Sequence, residues 1–335
     1  MITVLDNLED SNKIVAVIGG GPTGMSCALW LKHLGFLAII IEKSKQLGGL
    51  QRVSHFQNVW YLGLPGHTGY ELAELFRQHL KEESITMLLD SKLKSIVKAG
   101  EHFRIVTETD EFTAQCLVIA TGQRIKGYED LKSVKGSHEL LSSPRVCFNP
   151  GATPLLVSDL DRQLVAIVGG GDNGLVTAIR FANTAKHIHL FVRSQLRGFD
   201  LNQKQISELI QAGRITLHQP VLIKEFEVGK DNIYIALKGK DNQEYEVFLD
   251  YLCFRIGFEP NVEQINQLFK EGAVGSLELT TGGYIATDQF LRTSIANIYA
   301  AGDVTNPRDP CVATAVAQGA IAARSIDEDL RIASY

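Results

Sequence analysis

No Cys-x-x-Cys occurs in the chain, and its five cysteines, Cys27, Cys116, Cys147, Cys253 and Cys311, are scattered along it. Without a paired framework or a Cys/His cluster at zinc spacing, a disulfide-stapled fold and a zinc module are excluded. Free, mostly buried thiols in a reducing compartment are expected instead. No apolar run approaches the roughly 20 residues that cross a bilayer, so no membrane span is expected. A basic excess is also missing. Lys and Arg total 33 against 38 Asp and Glu, for a net charge of −5, which argues against broad binding to nucleic acid or anionic membranes. The opening MITVLDNLEDSNK is polar and acidic. It resembles neither a secretory signal nor a transit peptide, so a cytoplasmic protein is expected.

What the chain does have is length for two domains and an ordinary globular composition: 335 residues, 45% hydrophobic and 21% charged. Residues 14–24 read IVAVIGGGPTG. A buried strand runs into a glycine turn that opens a helix, MSCALWLKHLG, and a second apolar run, LAIII, ends on Glu42. Backbone N–H groups and the helix dipole at such a turn favour a phosphate. Gly19 allows the tight turn, Gly21 lets a pyrophosphate approach the backbone, and Gly24 lets helix and strand pack closely. Glu42 stands where a carboxylate binds ribose hydroxyls. These features together predict a dinucleotide site.

Downstream, Gly48-Gly49 reads either as backbone pressed on a ligand or as a flexible turn. An aromatic, loop-like stretch, HFQNVWYLGLPGHTG, leads to a helix, YELAELFRQHLKEE. Then come a short strand, ITMLLD, a hairpin of alternating residues (KLKSIVKAG and HFRIVTET) and a buried strand, CLVIATG, which completes a three-layer unit. After a loop-rich stretch over 123–163 with Pro144, Pro150, Gly151 and Pro154, the opening pattern returns as LVAIVGGGDNGLVTAIRF and a second strand, HLFV. Two such units imply two dinucleotides, and two dinucleotides imply electron transfer between them. The second unit ends its second strand in Val192-Arg193-Ser194, with Arg197 close behind. Arginine pairs with a 2′-phosphate that an acid repels, so this unit is expected to hold NADP(H), unless the two arginines are merely solvated. A helix, NQKQISELIQAG, and β-rich segments, PVLIKEFEVG, NIYIALKG and EYEVFLDYLCF, continue this domain. Asp303, at the end of the strand NIYAAGD, is placed either as a ligand to a diphosphate–ribityl chain or as an N-cap.

From about residue 13 to about 326 the chain resembles low-molecular-weight thioredoxin reductases and the related thioredoxin-reductase-like ferredoxin–NADP reductases. IGGGPTG with Glu42, LGGL, LGLPGHTGYEL, IATG, VGGGDNG with VRSQLR, IGFEPN and YAAGDVTNP carry the resemblance. It implies an α/β fold of two Rossmann-like three-layer domains. The FAD domain is discontinuous (1–124 and 253–335), and an NADP domain (125–252) is inserted into it. It implies FAD at Gly19, Gly21, Thr23, Gly24, Glu42, Gly49, Leu50, Leu93, Thr121, Gly122, Asp303, Cys311 and Val312. It implies NADP at Gly169, Gly171, Asp172, Asn173, Gly174, Arg193 and Arg197, and it suggests a homodimer.

The departures from that family bear on function. Thioredoxin reductases carry a redox Cys-x-x-Cys before the second glycine motif; here the stretch is RVCFNPGATPLL, with Cys147 alone and no partner nearby. That favours the ferredoxin-reductase branch, in which reduced flavin meets an external ferredoxin or flavodoxin. Pro310 and Cys311 replace the Arg-Gln at the start of the last helix, which puts Cys311 near the flavin. Thr23 replaces the cysteine used by bacillithiol-disulfide-reductase-like relatives. His55 or Phe56 is the candidate aromatic stack on the flavin, while the IDEDLRIASY end is short for a second one. Asn173-Gly174 replaces a common Ser-Ala and implies weaker NADPH binding. The alternatives are a disulfide or small-molecule reductase using Cys147 or Cys311, and a slow flavin redox sensor.

Overall fold

A computed structural model describes residues 13–148 and 160–332. The leading segment 1–12, Pro150, Gly151 and Pro154 of the middle loop, and the end 333–335 lie outside the described residues. The elements in chain order are β1 (Ile14–Ile18), α1 (Pro22–His33), β2 (Leu37–Ile41), α2 (Gly69–Glu82), β3 (Thr86–Leu88), β4 (Leu93–Ala99), β5 (His102–Thr107), β6 (Glu111–Ala114), β7 (Cys116–Ile119) and β8 (Gln123–Ile125). Then follow β9 (Val146–Cys147), β10 (Leu164–Val168), α3 (Asp172–Ala182), β11 (His187–Phe191), α4 (Asp200–Gln211), β12 (Ile215–His218), β13 (Leu222–Val228), β14 (Ile233–Lys238), β15 (Glu244–Leu249) and β16 (Tyr251–Phe254). The chain ends with β17 (Phe258–Pro260), α5 (Glu263–Glu271), β18 (Ile298–Ala300) and α6 (Val312–Ile332).

The chain forms two compact units, residues 1–124 with 260–335, and 125–259. The second boundary falls at Pro260 rather than 253. The reason is β16, which pairs in parallel with β10 and so belongs to the inserted unit. The segment EYEVFLDYLCF, continuous in sequence, is two strands in different sheets. Glu244–Leu249 pairs antiparallel with β14, and Tyr251–Phe254 lies between β10 and β9.

The two units repeat one plan. In the first, a parallel sheet of order β18-β7-β1-β2-β3 lies between helices and the antiparallel sheet β4-β5-β6. Alternation along β1 serves both faces. Val15 and Val17 pack with Met25, Ala28 and Leu31 of α1 and Ala322 and Ile326 of α6. Ile14, Ala16 and Ile18 pack with Phe103, Ile105 and Phe112 of the antiparallel sheet. A strand buried on both faces must be apolar at every position, which is why it reads as an unbroken run. In the inserted unit the parallel order is β12-β11-β10-β16-β9, with β13-β14-β15 as the antiparallel layer. There Val165 and Ile167 face Leu175, Ala178 and Phe181 of α3, while Ala166 faces Phe226, Ile235 and Leu237.

α2 starts where its sequence says it should. Thr68 accepts from the Glu71 backbone while Glu71 reaches back to the Thr68 N–H at 2.7 Å, a reciprocal cap. α6 packs against α1 at Gly319, where a Cβ would meet the Thr23 carbonyl at 2.4 Å and the Cys27 nitrogen at 2.8 Å.

Candidate functional site

The two glycine turns divide their labour in the same way. Gly19 and Gly169 have φ of +110° and +139°, and a Cβ there would strike the Ala120 and Arg255 carbonyl oxygens at 2.3 and 2.1 Å. A Cβ on Gly24 or Gly174 would strike the carbonyl oxygen of Gly19 or Gly169 at 1.9 or 2.2 Å, which is the close helix–strand packing. Gly21 and Gly171 differ: a Cβ on either meets nothing within 4 Å. Each is the N-cap of its helix, with no side-chain cap over the helix N-terminus. So each motif presents uncapped backbone donors towards open space, the cradle a pyrophosphate requires.

Around the first turn the chain gathers acceptors. Glu42 is buried, its Oε2 accepts from the Gly20 N–H at 2.8 Å, and its Oε1 accepts from Ser44 N at 2.8 Å. It therefore fastens the turn as well as standing beside it. The Gly48-Gly49 pair lies against the same turn. Gly48 N–H donates to the Gly20 carbonyl at 2.7 Å, and a Cβ on Gly49 would come 3.2 Å from Gly21 Cα. Leu50 follows in a short helical turn, Gly49–Val53. Gly302 presses on Thr23, whose Oγ1 a Cβ would meet at 2.2 Å, so the segment leading into Asp303 sits on the first motif. The half-buried Asp303 carboxylate has no hydrogen-bond partner among the described residues. An acceptor left in that state beside a glycine cradle fits a polyol chain such as the ribityl of FAD.

Sequence reasoning missed Asn261, which locks the Thr121-Gly122 turn. Its Nδ2 donates to the Thr121 carbonyl at 2.9 Å, its N–H donates to the Gly122 carbonyl at 3.0 Å, and Thr121 Oγ1 donates back to its carbonyl at 2.8 Å. Gln318 was also missed; its Oε1 accepts from the Gly302 N–H at 2.6 Å. Asn261 lies in the IGFEPN motif, so a signal existed; Gln318 had none.

The second turn lacks the acid. Gly19 N–H donates to Ile41 and Gly169 N–H to Phe191, which sets Val192 in the place of Glu42 and Arg193 in that of Lys43. Arg197 N–H donates to the Gly170 carbonyl at 2.7 Å, as Gly48 does to Gly20, so its side chain leaves from the rim of the turn. Arg193 and Arg197 are exposed, and neither guanidinium has a partner among the described residues. Asp172 also has a structural tie within the unit. Its Oδ1 accepts from Phe199 N at 2.7 Å and Asn202 Nδ2 at 3.0 Å, so it holds the start of α4. Asn173 accepts from Thr177 Oγ1 through its carbonyl at 2.6 Å.

The remaining sequence-predicted residues fall as follows. His55 stacks on Tyr70, ring centroids 6.0 Å apart, and Phe56 lies half-buried beside it. Leu93 opens β4 and packs against the core. Cys311 immediately precedes α6 and is half-buried, with Sγ 3.4 Å from Thr314 Oγ1; Val312 is buried. Cys147 is not without a neighbour. It is the register partner of Cys253 on β16, the two thiols are hydrogen-bonded, and both are buried in one apolar cluster. That contact, and then burial, hold the Cys253 thiol well above its ordinary value. A thiol that stays protonated is a poor nucleophile.

Burial also raises the Asp303 carboxyl above its ordinary value. A raised folded-state pKa adds stability below the ordinary value, about 3.9 for Asp, and that stability is lost as pH rises through the raised one. Asp303→Asn is therefore expected to raise the melting temperature of FAD-free protein at neutral pH, with the gain shrinking on acidification. The same change weakens FAD retention by roughly tenfold, because a charge-assisted acceptor becomes a neutral one. Melting curves against pH, with flavin content by absorbance, check both; a lower FAD-free melting temperature contradicts the assignment.

The family model described as pyridine nucleotide-disulphide oxidoreductase matches residues 13–319. Thioredoxin reductase of Borreliella burgdorferi is 23% identical over 334 residues, covering 98% of this chain and 94% of that protein. Thioredoxin reductase of Vibrio cholerae is 26% identical over 333 residues, covering 95% and 96%. Ferredoxin–NADP reductase of Lactococcus lactis is 22% identical over 293 residues, covering 87% and 85%. Among solved structures, thioredoxin reductase of Lactococcus lactis superposes with a TM-score of 0.80 at 21% identity, over 96% of this chain and all of that one. The two units are thus a pair of Rossmann-like domains.

Proposed function

The chain belongs to the pyridine nucleotide-disulphide oxidoreductase family, and from that membership we propose that it passes electrons from NADPH through FAD to an external carrier of ferredoxin or flavodoxin type. It is a flavoprotein oxidoreductase of thioredoxin-reductase type, and FAD and NADP(H) are the cofactors of that group. Bound FAD supplies the exchange between hydride and single-electron chemistry. The chain's own residues supply binding and placement. The N–H groups from Gly21 into α1 take the FAD diphosphate, Asp303 accepts from the ribityl hydroxyls, and Arg193 and Arg197 pair with the NADPH 2′-phosphate.

The observation that supports an external carrier is the state of the cysteines. Thioredoxin reductases pass electrons to a redox disulfide formed by a Cys-x-x-Cys pair, and no Cys-x-x-Cys exists here. The pair that the fold does bring together, Cys147 and Cys253, is buried, and its thiol–thiol contact and burial hold Cys253 well above its ordinary value. NADPH-driven cytochrome c reduction that requires added ferredoxin or flavodoxin tests the reading, with turnover of about 1 per second or more. Such turnover also removes the slow-sensor reading. No stimulation by either carrier, with rapid NADPH oxidation by a disulfide, overturns the proposal.

A disulfide or small-molecule reductase is the second reading, and half-exposed Cys311 at the head of α6 is the feature that favours it. Thiol titration separates the two. All five cysteines are free among the described residues, so the denatured protein should titrate as five both before and after anaerobic NADPH reduction. A rise of two on reduction supports the second reading. Loss of activity in Cys311→Ser assigns Cys311 to it.

A further inference from the structure

Three histidines of the inserted unit stand together on one sheet face, and none takes part in the nucleotide contacts proposed above. Residues two apart on a strand share a face, which puts His187 and His189 side by side on β11, ring centroids 5.1 Å apart. On β12, Thr216 lies opposite His189 and His218 opposite Phe191. The His189 and His218 rings are 5.3 Å apart, with Nδ1 of the first 3.0 Å from Nε2 of the second. His218 Nδ1 is 3.0 Å from Tyr245 Oη. His187 is engaged elsewhere: its Nδ1–H donates to the Gly213 carbonyl at 3.2 Å, and its Nε2 accepts from Thr216 Oγ1 at 2.8 Å.

We propose that His189 Nδ1 and His218 Nε2 bind a divalent first-row transition metal ion, with solvent completing its sphere. Imidazole nitrogens suit Zn²⁺, Ni²⁺ and Cu²⁺. Zinc–nitrogen bonds of about 2.0–2.1 Å in a tetrahedral sphere put two ligand nitrogens about 3.4 Å apart, a small opening of the present 3.0 Å. Both rings are half-buried and so remain open to an ion from solvent. Burial and neighbouring imidazoles hold both near pKa 4, so they are neutral and free to ligate at neutral pH. Only one hydrogen now lies between the facing nitrogens. If it sits on His218 Nε2, binding moves it to Nδ1, where Tyr245 Oη accepts it; if it sits on His189 Nδ1, it moves to Nε2. No net proton is released in either case. Tyr245 then orients His218 from behind, as carbonyls and carboxylates orient metal-bound histidines elsewhere. Among the described residues no three His, Cys, Asp or Glu side chains are grouped to hold a metal ion, so the site is a two-imidazole one.

Equilibrium dialysis of the flavin-loaded protein against ZnCl2, with metal analysis, tests this. The expected result is one Zn²⁺ per chain, weakened at least tenfold in both His189→Gln and His218→Gln. Tyr245→Phe keeps the ring and volume, so it guards against loss of folding; weakening there by roughly tenfold is expected once the orienting hydroxyl is gone. No binding to the unaltered protein at millimolar Zn²⁺, or binding unchanged in both histidine variants, overturns the proposal. Unchanged affinity in Tyr245→Phe also contradicts it.

Discussion

Gly21→Val yields a folded protein without flavin, whereas Gly24→Val does not fold. The two glycines lie three residues apart in one motif, so the contrast isolates what each is for. At Gly21 the backbone is extended, with φ −74° and ψ 179°, a conformation valine adopts without strain. Its Cβ would meet no protein atom within 4 Å. The fold loses only the N-cap preference of glycine over valine, about 1 kcal/mol. The side chain instead fills the space where the diphosphate must touch backbone donors, and FAD affinity falls by at least ~10², equivalent to about 2.7 kcal/mol. At Gly24 the Cβ would lie 1.9 Å from the Gly19 carbonyl oxygen. That oxygen belongs to a turn already held at positive φ, so nothing nearby can yield, and the cost reaches the ~4–5 kcal/mol that marks the severest single substitutions. Circular dichroism and flavin absorbance of the two variants check this. A yellow Gly21→Val, or a stable colourless Gly24→Val, contradicts the division of roles.

The second large effect concerns the inserted unit. Replacing Arg193 and Arg197 together by alanine should raise the NADPH KM by roughly 10²-fold and leave that for NADH unchanged, since each charge-assisted hydrogen bond to the 2′-phosphate contributes about 1.5–3 kcal/mol. Stability should not change, because both side chains are exposed and neither has a partner among the described residues. Electrostatics gives the reason for two arginines rather than an acid. Unit one uses the Glu42 carboxylate to hold Gly20; unit two puts Val192 there and ties the turn through Arg197 N–H to Gly170. The position that Glu42 fills in unit one then carries no negative charge to repel a 2′-phosphate. Equal losses for NADPH and NADH would place the arginines on a part common to both coenzymes.

Both effects rest on features legible in the sequence, because each lies within one β-turn-α unit. The roles of Gly19, Gly21 and Gly24 follow from spacing, and Glu42 and Arg193 from being the residues just past the next strand. What stayed hidden depends on pairing between distant segments. Asn261 holds Thr121 across 140 residues. Cys147 gains Cys253 only because β9 and β16 become neighbours in register. The split of EYEVFLDYLCF turns on Asp250, whose Oδ2 accepts from Leu164 N at 2.7 Å and whose N–H donates to the Leu164 carbonyl at 2.8 Å. Apolar alternation runs through that point without a mark. Asp172 shows the opposite limit: its position in the motif was plain, but the commitment of its carboxylate to Phe199 and Asn202 was not.

The central question is where electrons stop inside the chain. Anaerobic titration of the flavin-loaded protein with NADPH, followed at the flavin absorbance band, measures that directly. A flavin with no internal disulfide behind it takes up two electrons, so bleaching should be complete at about one equivalent of NADPH. Bleaching that lags until a second equivalent has been consumed, with two new thiols appearing, would reveal an internal disulfide and contradict the account, as would no bleaching at all.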